Sequence, residues 1–333
     1  MRRYAILFVL AAAFCLHIAA AEREVTVENK GAGVTLAGTL TTPSSGAPKA
    51  LLVLASGSGQ QNRDEQIGEH RPFRTIADTL AAHGFATLRM DDRGVGGSGG
   101  DPALITTADN ASDIASALAF AAAELPGVPL GVLGHSEGGI LALKNAPACR
   151  FIVTLGCPAW RGDSIIMSQA RALTTAMMGR WDAEPMQRAL LDVAASDISA
   201  DEARPRLLEI MTAAIPPTLA DNPAVKQQLD MQLDALLSPW YREFLRYNPA
   251  ADIKAVQVPW LALNGEKDFQ VLPANLQTIK ELNPQADTRL LPAHNHLLQR
   301  CSTGYPQEYF SIKEDISPET LALIIEWLNS QLK

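Results

Sequence analysis

Ser136 has the setting that points most directly to chemistry. It stands in Leu130-Gly-Val-Leu-Gly134-His135-Ser136-Glu137-Gly138-Gly139-Ile140, where a short apolar run meets a tight turn and the start of a helix. Gly134-x-Ser136-x-Gly138 has the form of a nucleophile elbow. A serine in a strained strand-to-helix turn needs neighbours without Cβ atoms, so that strand and helix can approach. Such a turn lifts the hydroxyl clear of a sheet. It also aims the first free N–H groups of the helix at the same spot, where an oxyanion can be held. A glycine-rich turn with an incidental serine has the same five letters. The strand before and the helix after distinguish the two.

A serine hydroxyl is a weak nucleophile at neutral pH. It needs a base, usually histidine, and the histidine needs a partner that fixes its tautomer. After an elbow serine on an open sheet, the acid and then the histidine follow in the chain. Of the six histidines, His17 lies in an N-terminal leader, His70 and His83 precede the serine, and His135 adjoins it and is expected to point elsewhere. His294 and His296 remain, in the loop Pro292-Ala-His-Asn-His296 after the last strand, where α/β sites form. His296 is the preferred base, and His294 reads as a solvated loop histidine. Asp268, in the turn Asn264-Gly-Glu-Lys-Asp268, is the preferred acid. Glu266 is second and otherwise pairs with Lys267 at the surface. Asp252 and Asp287 read as turn or capping residues.

An oxyanion needs two backbone donors. One is expected from Glu137, the residue after the nucleophile. The other is expected from the loop Gly57-Ser58-Gly59-Gln60, with Ser58 preferred and Gly59 next. A phosphate cradle would need G-x-x-x-x-G-K-[ST] or G-x-G-x-x-G, and this loop has neither. Arg63-Asp64-Glu65 and Asp92-Arg93 are expected either to build a charge network beneath the site or to cap loops. For Asp92-Arg93 the structural role is preferred.

These groups need a sheet to carry them. Glu24 to Leu40 alternates as a hairpin would, with Gly31-Ala-Gly33 between its arms. Ala50–Ala55, Phe85–Met90, Leu130–Leu133, Phe151–Leu155, Val258–Leu263 and Thr288–Leu291 are short strand-like runs. The most continuous of them have the apolar character of strands buried on both faces. Helical periodicity separates them at Pro72–His83, Ala111–Leu125, Asn275–Leu282 and Pro318–Leu332. The alternation predicts a parallel sheet covered on both sides. From about Arg161 to Asn248 only helical periodicity remains, broken by prolines and holding six of the eight methionines. That stretch reads as a helical insertion. Met167, Met177, Met178, Met186, Met211 and Met231, with Trp240 and Tyr241, would either line an adaptable apolar lid or pack the insertion's own helices.

The chain has 333 residues, 47% of them hydrophobic, which is enough for one large core plus an insertion. Arg2-Arg3, an apolar stretch to Ile18 and Ala19-Ala-Ala21 have the form of a signal peptide over residues 1–21. Its removal takes away two arginines and no acid, moving the formal charge from −8 to −10. Secretion or a periplasmic location follows as an expectation, with no stable membrane association after cleavage. An acidic chain without basic runs argues against nucleic acid as a partner. Cys149, Cys157 and Cys301 would remain, permitting one disulfide, and the absence of C-x-x-C argues against a metal site.

Taken in order, Gly57-Ser-Gly59, Asp92-Arg-Gly94-x-Gly96-x-Ser98, Gly134-His-Ser-Glu-Gly-Gly139, Asn264-Gly-x-x-Asp268 and Asn295-His296 resemble the α/β-hydrolase superfamily from about Val25 onward. The likeness is greatest to bacterial serine esterases with a Gly-Ser-Gly-x-x-x-Arg-Asp-Glu loop, here Gly57 to Glu65. In that group the Asn-His pair carries the catalytic histidine, which supports His296. The resemblance implies an eight-stranded, mostly parallel sheet and a helical cap between strands six and seven. The resulting division is a core of residues 22–158 and 250–333 around a cap of 159–249. It implies a carboxylic ester hydrolase acting on a small-molecule ester without metal or organic cofactor. Ser136, His296 and Asp268 would form its triad, and the N–H groups of Ser58 and Glu137 its oxyanion hole. Ser56 departs from the many relatives that have histidine there. The same triad would serve a peptidase, an amidase or an acyltransferase. A non-catalytic binding protein on this fold would be distinguished by an incomplete triad.

Overall fold

A computed structural model describes residues 20–219 and 221–333. The expected signal peptide lies outside the described residues except for Ala20 and Ala21. Eight strands form one sheet: β1 (Ala21–Asn29), β2 (Val34–Thr42), β3 (Leu51–Ala55), β4 (Ala86–Met90), β5 (Leu130–His135), β6 (Phe151–Leu155), β7 (Trp260–Gly265) and β8 (Asp287–Leu291). Their spatial order is β1-β2-β4-β3-β5-β6-β7-β8. The hairpin β1–β2 and the β2–β4 pair are antiparallel, and every other pair is parallel. Asp287 therefore opens a strand, where its carboxylate bonds Arg289, and is not the turn residue expected from the sequence.

β3, β4 and β6 are buried along their whole length, as their apolar character requires. One face packs on α2 (Thr107–Glu124) and α3 (Glu137–Asn145), the other on α1 (Pro72–Ala82) and α11 (Pro318–Gln331). α2 starts four residues earlier than periodicity suggested. Thr106 and Asp109 form a capping box there, a polar signal that an apolar-stripe reading passes over. Arg89 lies inside β4, 1% exposed, and is held by Asp64 and by Glu22 on β1.

Between β6 and β7 the chain forms α4 (Gly162–Met178), α5 (Glu184–Ala194), α6 (Ala200–Ala213), α7 (Pro223–Leu237) and α8 (Pro239–Arg246). Short α9 (Ala250–Ala255) leads back to the sheet, and α10 (Ala274–Leu282) connects β7 to β8. Two small clusters hold the inserted helices together: Met167 with Leu191, Ala194 and Leu245, and Met211 with Leu190, Leu207 and Leu233. A third, Ile140 with Ile165 and Phe244, joins them to α3 of the core. All three described cysteines are free thiols, so the disulfide allowed by their number is not formed.

The insertion depends on one close helix contact. A Cβ on Gly162 would lie 1.9 Å from the Phe244 carbonyl oxygen, so α4 and α8 meet only because position 162 has no side chain. Gly162→Ala is expected to destabilise the protein by about 1–3 kcal/mol, as overpacking does. Urea unfolding measures this, and a stability equal to wild type would show that α4 and α8 can part freely.

Candidate active site

The sheet delivers its functional residues at one edge, the C-terminal ends of its parallel strands. Ser136 follows β5 directly, with φ +54° and ψ −122°. That backbone is strained for any residue with a side chain. It is kept by a bond from Ser136 N–H to the Leu155 carbonyl (2.8 Å) and by one from Gly139 N–H to the Ser136 carbonyl (2.9 Å).

His296 and Asp268 come from the loops after β8 and β7. His296 Nδ1 lies 2.7 Å from Asp268 Oδ2, and both side chains are buried. The other carboxylate oxygen, Oδ1, accepts the N–H groups of Gln270 and Val271, each at 2.8 Å. A carboxylate so bonded only accepts, so the proton of the neutral imidazole sits on Nδ1. Nε2 keeps its lone pair, as a base requires. Ser136 and His296 line one cavity of about 470 Å³. No hydrogen bond joins Ser136 Oγ to His296 in this structure. Such contacts are often long without substrate.

His294 is buried rather than solvated. Its Nδ1 faces the Pro292 carbonyl and its Nε2 the Ser317 hydroxyl, both at 2.8 Å, so it pins the loop to the start of α11. Glu266 is exposed and accepts the Ala293 N–H at 3.0 Å, while Lys267 turns to the Ser302 carbonyl. The surface pair expected of these two is not formed.

The oxyanion candidates divide cleanly. Gly57 N–H is taken by Glu65 at 2.6 Å. Ser58 borders the Ser136 cavity, whereas Gly59 lines a separate space of about 220 Å³. No protein acceptor among the described residues takes the N–H of Ser58 or of Glu137. The Glu137 side chain is buried between α2 and α8. Its carboxylate accepts Thr107 Oγ1 at 2.5 Å and Trp240 Nε1 at 2.9 Å to each oxygen. Burial pushes this carboxyl up, against the opposing bonds of Thr107, Trp240 and Ser58.

Charge crowds this loop. Asp92 accepts the Gln61 N–H, and its other oxygen lies 2.9 Å from Ser56 Oγ. Ser56, the departure from the resembling group, is thus tied to Asp92. Arg63 reaches Asp91, Glu24 and Thr39, while Arg93 reaches Asp109 and Asp113, so Arg93 has the structural role expected of it. Glu65 alone of the expected network lies directly beneath the site, against His135, which packs on His296. Position in the chain had set His135 aside, and the loop contacts that give it a role are distant in sequence. Trp240, Phe244, Gln270 and Tyr309 also line the cavity. None of the inserted methionines does, and Met167 and Met211 pack among the insertion's own helices.

The sequence pattern of the alpha/beta hydrolase family matches residues 52–311, and the chain belongs to that family. It is 23% identical over 313 residues to esterase EstD of Thermotoga maritima, covering 92% of this chain and 67% of that protein. The Pyrococcus furiosus esterase Pf2001 has the same fold, with TM-score 0.58 and 14% identity over 94% of this chain and 92% of that one. So does a proline iminopeptidase of Mycobacterium smegmatis, with TM-score 0.57 and 16% identity over 93% and 99% of the two chains.

Asp92 allows a test of the electrostatics. Burial, helped by the charges of Glu65 and Glu137, pushes its carboxyl up to about 7. The folded protein then favours the protonated acid. The stability this lends is complete below about pH 4, the ordinary aspartate value, and is lost as pH rises through about 7. Asp92→Asn fixes an uncharged side chain that donates to Ser56 and accepts from Gln61. Thermal unfolding should show wild type losing stability, relative to the variant, progressively between about pH 4 and 7 and levelling off above that, the variant being the more stable at the alkaline end. A variant less stable at every pH would mean that Asp92 is ionised in the fold.

Proposed function

We propose that this chain is a serine hydrolase that cleaves carboxylic esters of uncharged small molecules. The observation that carries the reading is the His296–Asp268 pair, bonded at 2.7 Å, beside a serine on a strained turn in one cavity. Ser136 Oγ attacks the acyl carbon as its proton passes to His296 Nε2. The N–H groups of Ser58 and Glu137 hold the oxyanion. The carbon–oxygen bond to the alcohol then breaks, and the alcohol leaves with the proton from His296. Water, deprotonated by the same histidine, releases the acid and restores Ser136.

The cavity lining supports an uncharged ester. Ile165, Ile166, Trp240, Phe244, Val271 and Leu297 supply an apolar wall, with the amides of Gln61, Gln169 and Gln270 among them. Glu65 is the one carboxylate among the described lining residues, and one of its oxygens is taken up by Gly57 and His135 while the other is closed to solvent. That leaves no acidic group to receive the free amine of a peptide, which favours ester over aminopeptidase chemistry. The relatives EstD and Pf2001, both named as esterases, point the same way.

Hydrolysis of p-nitrophenyl esters from acetate to palmitate tests the reading. Wild type should turn over the short and medium chains best, since a cavity of about 470 Å³ has to hold both acyl and alcohol parts. Ser136→Ala should lose on the order of 10⁶ in kcat. Turnover unchanged in that variant, or absent from wild type on every ester, would defeat the assignment.

A further inference from the structure

Glu65 and His135 have no part in the chemistry above, yet they are 1% and 6% exposed and lie between the two loops that carry it. Glu65 Oε1 accepts the Gly57 N–H at 2.6 Å and faces His135 Nδ1 at 2.9 Å. His135 Nε2 faces the carbonyl oxygen of His296 at 3.0 Å. The two imidazole rings pack with centroids 4.7 Å apart, tilted by 47°. Glu65 holds φ +50°, a backbone that persists only where its surroundings over-determine it.

The proton positions follow from these contacts. A carbonyl only accepts, so His135 Nε2 carries a proton and donates it to His296. Oε1 of Glu65 already accepts from Gly57, so its contact with His135 Nδ1 also needs a proton on the ring. The ring is therefore an imidazolium and Glu65 a carboxylate. Burial opposes the charge on His135, but the Glu65 carboxylate, the His296 carbonyl and the Asp268 charge together hold the ring above the usual histidine range. A glutamine at 65 has one oxygen and one amide nitrogen. Its oxygen can accept both bonds, but it carries no charge to stabilise the cation.

Both ends of the chain of bonds fall on functional backbone. Gly57 precedes Ser58, and a Cβ on Gly57 would lie 3.1 Å from Ser136 Cβ and 3.2 Å from Glu65 Oε1. The other end is the carbonyl of His296 itself. We infer that Glu65 and His135 are a positioning pair, which clamps the oxyanion loop and the His296 loop to the nucleophile turn. This rests on the roles proposed for Ser136, Ser58 and His296.

The test compares wild type, Ser136→Ala, Glu65→Gln, His135→Gln and the double variant on p-nitrophenyl butyrate. Each is also labelled with a fluorophosphonate and its folding checked by near-UV circular dichroism. A positioning pair serves the transition state, so each single variant should fold and lose about 10²-fold in kcat, with KM within about threefold of wild type. The two act as one unit, so the double variant should fall no further than the worse single. His135→Gln keeps a side-chain N–H for the His296 carbonyl and gives the same reading where Glu65→Gln fails to fold. A folded single variant with kcat within about threefold of wild type, or a double variant losing the product of both effects, overturns the pair. Unfolding of both singles overturns it too, since the two residues would then serve the fold. Wild type that escapes the label overturns the serine reading and the pair with it. Labelled wild type beside unaffected variants overturns the pair alone.

Discussion

The backbone of Ser136 is the constraint that the rest of the structure is arranged to meet. A side chain at φ +54° costs on the order of 1–3 kcal/mol, and nothing local repays that. The turn persists because three elements close on it. A Cβ on Gly134 would lie 2.0 Å from the Gly138 carbonyl oxygen, and one on Gly138 would lie 1.9 Å from that of Ala55. One on Gly139 would lie 2.6 Å from Cys157 Sγ. β5 and the end of β3 therefore touch α3 backbone to backbone, and the Cys157 side chain after β6 packs directly on Gly139. Only a sheet centre buried on both faces holds strands at those distances, which is why the apolar runs around Val53, Val132 and Val153 matter to the chemistry.

Closing the turn so tightly creates an electrostatic difficulty, and its resolution leaves free a donor proposed for the oxyanion. Asp92, Glu65 and Glu137 are carboxyls bonded to or abutting the short loop that follows β3. Each is settled differently. Asp92 is pushed to about 7, Glu65 takes the proton-bearing ring of His135, and Glu137 is held by Thr107 and Trp240. Together they fix Ser56, Gly57 and Gln61. The Ser58 N–H between them stays unclaimed. A donor fixed in place before the reaction costs no reorganisation when charge develops on the substrate oxygen.

How far the site was legible depended on whether a residue's partners were near it in sequence. The elbow is a local object, so its glycines announce it. His296 and Asp268 are far from Ser136 in the chain, but each lies in the loop after a strand, and chain order narrowed the choice to a few positions. Glu65 and His135 are 70 residues apart and bond through loops whose packing no periodicity encodes. His135 was set aside on its place in the chain, though its neighbour in space is the proposed base, His296. The methionines were open in a similar way: composition allowed either a lid or packing of the insertion's own helices, and in the fold Met167 and Met211 are used inside the insertion while Ile165, Trp240 and Phe244 face the cavity. Composition does not specify which side of a helix meets the core. That is set by contacts such as Gly162 against Phe244.

The same arrangement separates reactivity from selectivity. Ser136, Asp268, His296 and Ser58 all stand on loops at strand ends, while the inserted helices give the cavity Ile165, Ile166, Gln169, Trp240 and Phe244. None of these five carries a titratable group. Exchange among such residues reshapes the space without altering a proton position at the triad. Trp240 is the exception, because its Nε1–H bonds the carboxylate of Glu137, whose own backbone N–H is one of the two proposed oxyanion donors. Movement of α8 would pull on that carboxylate and leave it buried with Thr107 as its remaining hydrogen-bond donor from another element, a costly state. The insertion is thus free to vary along most of its cavity face, and at Trp240 it is bound to the catalytic core.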